Sequence, residues 1–394
     1  ANDDLPLLNH ASWRTRVGST PVMRWPLIRV NLARSPELID AVLSARVQSR
    51  LAVDNPPTQA VGDDIDVLVE GYAETIGHKE WLVGFNTSPA AVWDVATVDG
   101  EQRPAADGST LAADLTAGGT SMLLLSTPEN GPWTEDPSEM PLDMRVGGER
   151  VTATAIGPTL SDAFGRTVAS GWGSADTGQA WTTSPSGDHS TGSGVGQQSI
   201  GSVNAFRTAT IDVGSPDHEY TVDLSLNISS AAGAGGTFWF CARLTDLSNY
   251  YVARLDLGTG GTMVLGWYKR VGGTLTTITS PVSAGSNSSG NWWRIRVRAI
   301  GSGLYATAQN ISTGTAMISV SGTDSSLTTG NNVGILSRLE AGNTNPLPVL
   351  AKYDTLLIDN PQTVTLSARG VNGVNRAWSA GAEVDAWYPA IVGL

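Results

Sequence analysis

Residues 145–156 read R-V-G-G-E-R-V-T-A-T-A-I, a two-residue Gly147–Gly148 turn followed by a strand in which Val151, Ala153 and Ala155 alternate. Such a strand needs a pairing partner, and the residues that follow do not offer one. Asp162-Ala-Phe-Gly-Arg-Thr167 and then W-G-S-A-D-T-G-Q-A-W at 172–181 start a different pattern. A matching strand occurs only at Gln362, in Q-T-V-T-L-S-A-R-G-V-N-G-V-N-R-A-W, with Val364 and Leu366 in alternation. The spacing predicts a small β domain, 99–158 and 361–394, interrupted by a second domain at 159–360. Insertions are tolerated at exposed loop tips, where few contacts are broken.

Length and composition agree with several β domains. A chain of 394 residues suggests two to three domains, and a sandwich of roughly 200 residues buries about 70% of its unfolded surface without staples. Gly, Ser and Thr are abundant and charge is modest, as expected of many short strands joined by turns. The net charge of −13 argues against sequence-independent nucleic-acid binding, which needs clustered Lys and Arg. The locally basic stretch, Arg294-Ile-Arg-Val-Arg298, alternates and reads as the solvated face of a strand. One cysteine, Cys241, cannot form an internal bridge and reads as a small buried hydrophobe in T-F-W-F-C-A-R-L. The start A-N-D-D-L-P has no basic n-region or apolar h-region, and no apolar run has the length of a membrane span.

The N-terminal unit, 1–98, reads as β-rich with one short helix. Ser35-Pro36-Glu37 supplies an N-cap, a proline at N1 and an acid in the first turn, and Leu38/Val42 and Ile39/Leu43 are i, i+4 pairs. A strand at 47–53 ends at Asn55-Pro56-Pro57, and 65–71 and 80–86 read as a hairpin. Later, 121–125 is a short buried strand, Asn372-Gly373 is a turn and 381–387 is a last alternating strand. The 159–360 segment is a run of closely spaced strands, the pattern of a sandwich. The adjacent Trp292 and Trp293 must face opposite sides of one of them.

Three stretches of this segment, F-W-F-C-A-R-L-T-D-L-S-N-Y-Y-V-A-R-L-D, G-W-Y-K-R-V-G-G and G-N-W-W-R-I-R-V, resemble the concanavalin-type (laminin-G-like) jelly roll. Its opening, D-x-F-x-R-T with W-G-x-A-D-T-G-x-x-W, resembles the form this domain takes in tail proteins of actinobacterial phages. D-D-I-D-V-L-V-E-G-Y-A-E-T-I at 63–76, the following N-T-S-P-A, D-M-R-V-G-G-E-R-V-T-A-T-A-I and G-V-N-G-V-N-R-A are similar to a tail-tip or baseplate-hub protein. The likeness covers nearly all of the chain after about residue 25. Where such proteins carry G-V-x-K-A-H near the end, this chain has Gly373-Val-Asn-Arg-Ala-Trp378. The resemblance implies an all-β minor tail protein with a hub-like N-terminal unit, found in the virion and in the host cytoplasm during assembly. Its implied partners are other tail-tip proteins, further copies of itself (a homotrimer) and host cell-wall glycan.

Catalytic signals are absent. The sequence has no G-x-S-x-G, H-E-x-x-H, Walker loop or C-x-x-C. His10, His78, His189 and His218 are scattered and read as surface or hydrogen-bonded residues. No enzymatic activity is expected, although a pair of carboxylates brought together in space would leave no trace in sequence spacing. No cofactor is expected. The fold family accommodates calcium, and Asp162, Asp176 and Asp188 lie in an oxygen-rich stretch, but loop aspartates are more often turn formers. Sugars are commonly held by an exposed aromatic plane with polar groups beside it. Most of the segment's aromatics must be core, and Asn249, Tyr251, Arg254 and Trp267 are the expected carbohydrate-binding residues. The alternative is a free-standing secreted carbohydrate-binding or carbohydrate-active protein.

Overall fold

The computed structural model describes residues 24–54, 65–93, 103–104, 108–127, 131–387 and 389–390. The protein is all-β, and the chain's antiparallel sheets include a jelly-roll sandwich.

Near the N-terminus a four-stranded sheet has the order Leu27–Asn31, Trp81–Pro89, Ile65–Ile76, Arg50–Val53. Ile65, Val67 and Val69 alternate inward, and the expected hairpin extends further than its apolar pattern, with Ile76 opposite Trp81. The segment after Ser35 is a 3-10 turn, Pro36–Leu38, leading into a six-residue α-helix, Ile39–Ser44, and the Ser35 hydroxyl makes no capping bond. One stripe of so short a helix can be buried: Ile39 and Val42 pack on Leu32, Val69, Val83 and Phe85. Leu38 and Leu43 remain exposed.

The Gly147–Gly148 turn joins Leu142–Val146 to Glu149–Asp162, with Val146 opposite Glu149. Glu149–Asp162 then pairs with a twenty-residue strand, Val349–Ala368, placing Ile156 opposite Val364, Pro158 opposite Gln362 and Leu160 opposite Ile358. Both strands run without a break past residues 158 and 361. One end packs Val151, Ala153, Ile156, Val364 and Leu366 against Leu111, Leu124, Met144 and Val384. The other sends Leu160, Val349, Ala351, Tyr353 and Ile358 into the sandwich core. A paired ribbon thus serves two hydrophobic cores.

The sandwich is formed by two sheets. One contains Thr182–Ser184, Arg207–Asp212, Asn332–Leu339, Gly236–Asp246, Asn249–Leu257, Thr262–Val271 and Thr274–Thr277 in that spatial order, with Val282–Ser286 on the flank of Thr262–Val271. The other aligns Ile318–Thr323, Gly303–Asn310, Trp292–Ile300 and His218–Leu226 beside Val349–Ala368. Phe238, Phe240, Leu255, Leu265 and Trp267 from the first meet Val222, Leu224, Trp293, Ile295 and Tyr353 from the second. Trp293 is buried while Trp292 is only partly so, as adjacent strand residues require. Arg294 and Arg296 lie on the solvated side, bonded to Asp223 and Glu219.

The D-x-F-x-R-T and W-G-x-A-D-T-G-x-x-W stretches close one end of this core. Phe164, Trp172 and Trp181 pack ring on ring, with centroids 4.8–6.1 Å apart. The buried Asp162 carboxylate accepts from Arg166 through both oxygens, from the Trp181 indole and from the Phe164 amide.

Candidate ligand-binding face

The strand Gly236–Asp246 is apolar on both sides, so its alternation sorts residues between two buried faces rather than between core and water. Phe238, Phe240 and Ala242 enter the sandwich. Trp239 and Cys241 face outward and form a second cluster with Tyr250, Val252, Tyr268 and Leu336, against which Phe206 packs.

Two cross-strand rows define this outer face. In one, Trp239 lies between Leu336 and Arg254; in the next, Thr237 lies between Arg338 and Asp256. Same-face neighbours on adjacent strands sit about 5 Å apart and successive rows about 7 Å, so these side chains share one patch. Phe206 meets Trp239 edge-on at 4.7 Å. Arg254 lies over the Tyr268 ring at 4.5 Å and Arg338 over Phe206 at 4.5 Å. Each guanidinium also grips a carboxylate: Arg254 holds Asp256 at 2.6–2.8 Å and Arg338 holds Glu340 at 2.7–2.8 Å. Arg270 bonds only to neutral acceptors among the described residues, the Gly273 carbonyl at 2.9 Å and the Tyr250 hydroxyl at 3.2 Å.

The patch is incompletely satisfied. Thr237 Oγ1, Trp239 Nε1, Asp256 Oδ1 and Arg338 Nε are buried without a hydrogen-bond partner among the described residues. Each such atom costs about 1–3 kcal/mol, and four of them fall on one face. Burial raises the Asp256 carboxyl above its usual range despite the neighbouring Arg254. Burial likewise pushes the Tyr250 hydroxyl up to about 12 and the Cys241 thiol well above its usual value, so neither ionises near neutrality.

The four residues expected to bind sugar are not brought together. Tyr251 and Trp267 are fully buried on the inner side, and the Tyr251 hydroxyl donates to Asp324 and accepts from the Leu327 amide. A ring with no accessible face cannot stack on a ligand, so both are corrected to core residues. Asn249 pins two turns, donating to Asp246 and accepting from the Gly272 amide. Only Arg254 lies on the outer face. The residues that sequence reasoning missed are Tyr268, the immediate neighbour of Trp267, with Trp239, Thr237, Asp256, Phe206 and Arg338; Tyr250 lies on the same side but is fully buried. In Tyr250-Tyr251 and Trp267-Tyr268 both positions are aromatic, and no local signal tells which points inward.

Other candidates resolve into structural roles. Asp162 is taken up by Arg166 and Asp188 by Arg207, while Asp176 accepts from the Ala163 amide. Of the three carboxylates weighed as calcium ligands, Asp162 and Asp176 both lie near the Arg166 guanidinium, at 2.7 and 4.0 Å, and no group of three or more metal-binding side chains occurs among the described residues. His189 bonds to the Pro185 carbonyl and to Gln198, and His218 to the Ser215 carbonyl; burial pushes His218 down to about 4. His78 is exposed and His10 lies outside the described residues. A hollow of about 460 Å³ on the opposite sheet is lined by Arg298, Leu304, Tyr305 and Thr323. None of the partnerless atoms falls among these four residues. No helix of the described residues is long and apolar enough to cross a membrane.

No family model matches the chain, and no curated protein matches it. Among solved structures, the carbohydrate-binding module CBM66 from Bacillus subtilis is 15% identical, covering 48% of this chain and 95% of its own, with a TM-score of 0.30. The CBM2 module of the evolved Dit protein of Lactobacillus casei BL23 phage J-1 is 13% identical over 54% and 98%, with a TM-score of 0.37. The β-glucanase of Bacillus licheniformis is 12% identical over 49% and 98%, with a TM-score of 0.36. Likenesses this distant say nothing of ligand or chemistry. The jelly roll stands on the sheet order and the shared core.

Proposed function

We propose that the protein is a structural component of a phage tail tip whose jelly roll holds a host cell-wall glycan on the outer face bearing Trp239, and that it binds without cleaving. The observation that carries glycan binding is the grouping of Thr237 Oγ1, Trp239 Nε1, Asp256 Oδ1 and Arg338 Nε, without a hydrogen-bond partner among the described residues and beside aromatic rings. Two are donors, one an acceptor and one can act as either. A sugar's neighbouring hydroxyls donate and accept in just such mixtures, while its C–H face suits an aromatic ring. The tail assignment is supported by the order of hub-like stretches in the sequence.

Access requires the two caps to move. Arg254 and Arg338 keep side-chain exposures of 22% each. A partly exposed cation–π contact is worth about 0.5–1 kcal/mol and a surface ion pair about 0–1. Lifting a cap therefore costs about as much as one partnerless atom, and a bound ligand satisfies several.

Trp239→Phe and Thr237→Val test the reading. Each removes a partnerless polar atom; Thr237→Val also keeps the side chain's bulk, whereas Trp239→Phe gives up part of the buried ring system. Thr237→Val should be as stable as the parent or more so and Trp239→Phe less stable by about 1–2 kcal/mol for the lost ring volume, while in both affinity for purified host cell wall should fall about 5–10-fold, the equivalent of about 1 kcal/mol. Unchanged affinity in both variants would remove this face from binding. For the tail role, gold-labelled antibody against the chain should mark one end of the particle tail; label on the capsid or free in the lysate would contradict it.

A further inference from the structure

The charge on this face points to more than a neutral sugar. The chain as a whole is strongly acidic, at −13, yet Arg254, Arg270 and Arg338 share the outer face with only Asp256 and Glu340 as partners. The surplus guanidinium, Arg270, touches neutral oxygens alone among the described residues. In Arg338, both Glu340 oxygens are taken by a single nitrogen, Nη2, and Nε has no hydrogen-bond partner among the described residues. The Nε–Nη edge is the fork with which a guanidinium grips a planar or tetrahedral oxyanion through two parallel bonds. Here it is half used. The same Arg338 and its neighbour Arg254 cover the rings beneath, so a ligand oxyanion that draws either guanidinium aside uncovers the aromatic surface at the same time.

We infer that this face selects glycans carrying oxyanions, a uronic carboxylate or a phosphodiester, with Arg338 and Arg254 as the specificity-determining residues. The inference rests on the glycan-binding reading and adds the class of glycan. Once the cap has swung out, the ligand's oxyanion takes the Nε–Nη2 edge of Arg338 in place of Glu340, its hydroxyls meet Trp239 Nε1 and Asp256 Oδ1, and one sugar face reaches the Phe206 or Tyr268 ring. A neutral glycan satisfies the hydroxyl contacts but leaves both caps held by their carboxylates.

Calorimetry on the full chain with three probes decides this: a hexamer of β-1,4-glucose, the matched hexamer of β-1,4-glucuronate, and a glycerol-phosphate hexamer. At least one acidic probe should bind about tenfold or more tightly than the glucose hexamer, with affinity falling as salt is raised. The stronger of the two acidic probes identifies carboxylate or phosphodiester as the source. Arg338→Gln should bring the acidic-to-neutral ratio below about twofold, and Arg338→Lys, which keeps the charge but not the fork, should lower it in part. Should Arg338→Gln fail to melt cooperatively, Arg254→Gln replaces it with the same expectation. A glucose hexamer that binds as tightly as both acidic probes would overturn the inference and leave glycan binding standing. Heat from none of the three at ligand concentrations up to about 10 mM, a range matched to weak single-site binding, would overturn both.

Discussion

Trp267 and Tyr268 are consecutive in sequence and belong to different parts of the molecule, one in the sandwich core and the other beneath Arg254. Their substitutions should differ accordingly. Trp267→Ala leaves a large cavity and should lower unfolding free energy by about 3–5 kcal/mol in denaturant titration, whereas Arg254→Ala, which loses a partly exposed ion pair and a ring contact, should cost about 1–2 kcal/mol. Glu149 is a residue of a third kind. Its fully buried carboxylate accepts from Arg369 through both oxygens, from the Trp378 indole and from the Gly370 amide. Burial pushes this carboxyl up, and the Arg369, Trp378 and Gly370 donors more than reverse it, holding the group below its usual 4.5. A group depressed in the folded state stabilises fully above its unfolded value and is lost as pH falls through the folded one. The contribution of Glu149 is thus complete at neutral pH, begins to fall below about pH 4.5 and is lost as pH drops through the depressed folded value. Glu149→Gln should cost about 3 kcal/mol or more at pH 7, and the gap to the parent should narrow in melts taken progressively below that pH.

At the scale of elements, the Gly147–Gly148 turn and the ribbon behind it set the architecture. Gly147 has φ of +57°, and a Cβ there would collide with the Trp378 ring. Gly147→Ala should therefore lower stability by about 1–3 kcal/mol through overpacking, with added backbone strain. The ribbon formed by Glu149–Asp162 and Val349–Ala368 enters the sandwich as two paired strands rather than as loose linkers. We propose the division into a small split unit and an inserted sandwich on this geometry, with the boundary lying inside shared strands. Pro158 faces Gln362, and the Thr159 hydroxyl donates to the Pro361 carbonyl, so the two chains are already at hairpin distance where the insert begins. Replacing 160–360 with a short Gly/Ser turn should leave a remainder that melts cooperatively with β-type circular dichroism. An unfolded remainder beside a well-folded isolated insert would show that the small unit depends on the sandwich.

For the whole molecule, we propose homo-oligomerisation through residues 1–98, in threes, in keeping with the hub-like stretches there. The four-stranded sheet is covered by a helix of only six residues, and on the face that carries Phe85, Tyr72 and Ile76 keep exposures of 60% and 71%. Light scattering should report a trimer for the full chain and a monomer for a chain lacking 1–98; an unchanged order after the deletion would locate the contact elsewhere. Several jelly rolls held together convert weak single-site attachment into firm attachment through effective concentration. The trimer should accordingly bind cell walls at least about a hundredfold more tightly than the truncated monomer, as sedimentation with walls would measure.

Strand alternation, turn glycines and proline punctuation were enough to read an all-β chain, the hairpin at 65–86, the reappearance of the interrupted strand at Gln362 and the opposed pair Trp292 and Trp293. These are local properties, because a strand's side chains alternate whatever surrounds them. The proposed binding face was not legible in this way. In a strand buried on both sides, each parity is apolar, and choosing Tyr251 and Trp267 over Tyr250 and Tyr268 requires knowing which side meets the second sheet. That is settled by the packing of Gly236–Asp246, Asn249–Leu257 and Thr262–Val271 against Trp292–Ile300 and His218–Leu226. The same packing set Thr237, Trp239, Asp256 and Arg338 side by side across 102 residues of sequence. Sequence decided where strands form; tertiary contact decided which of their faces was left with polar atoms to satisfy.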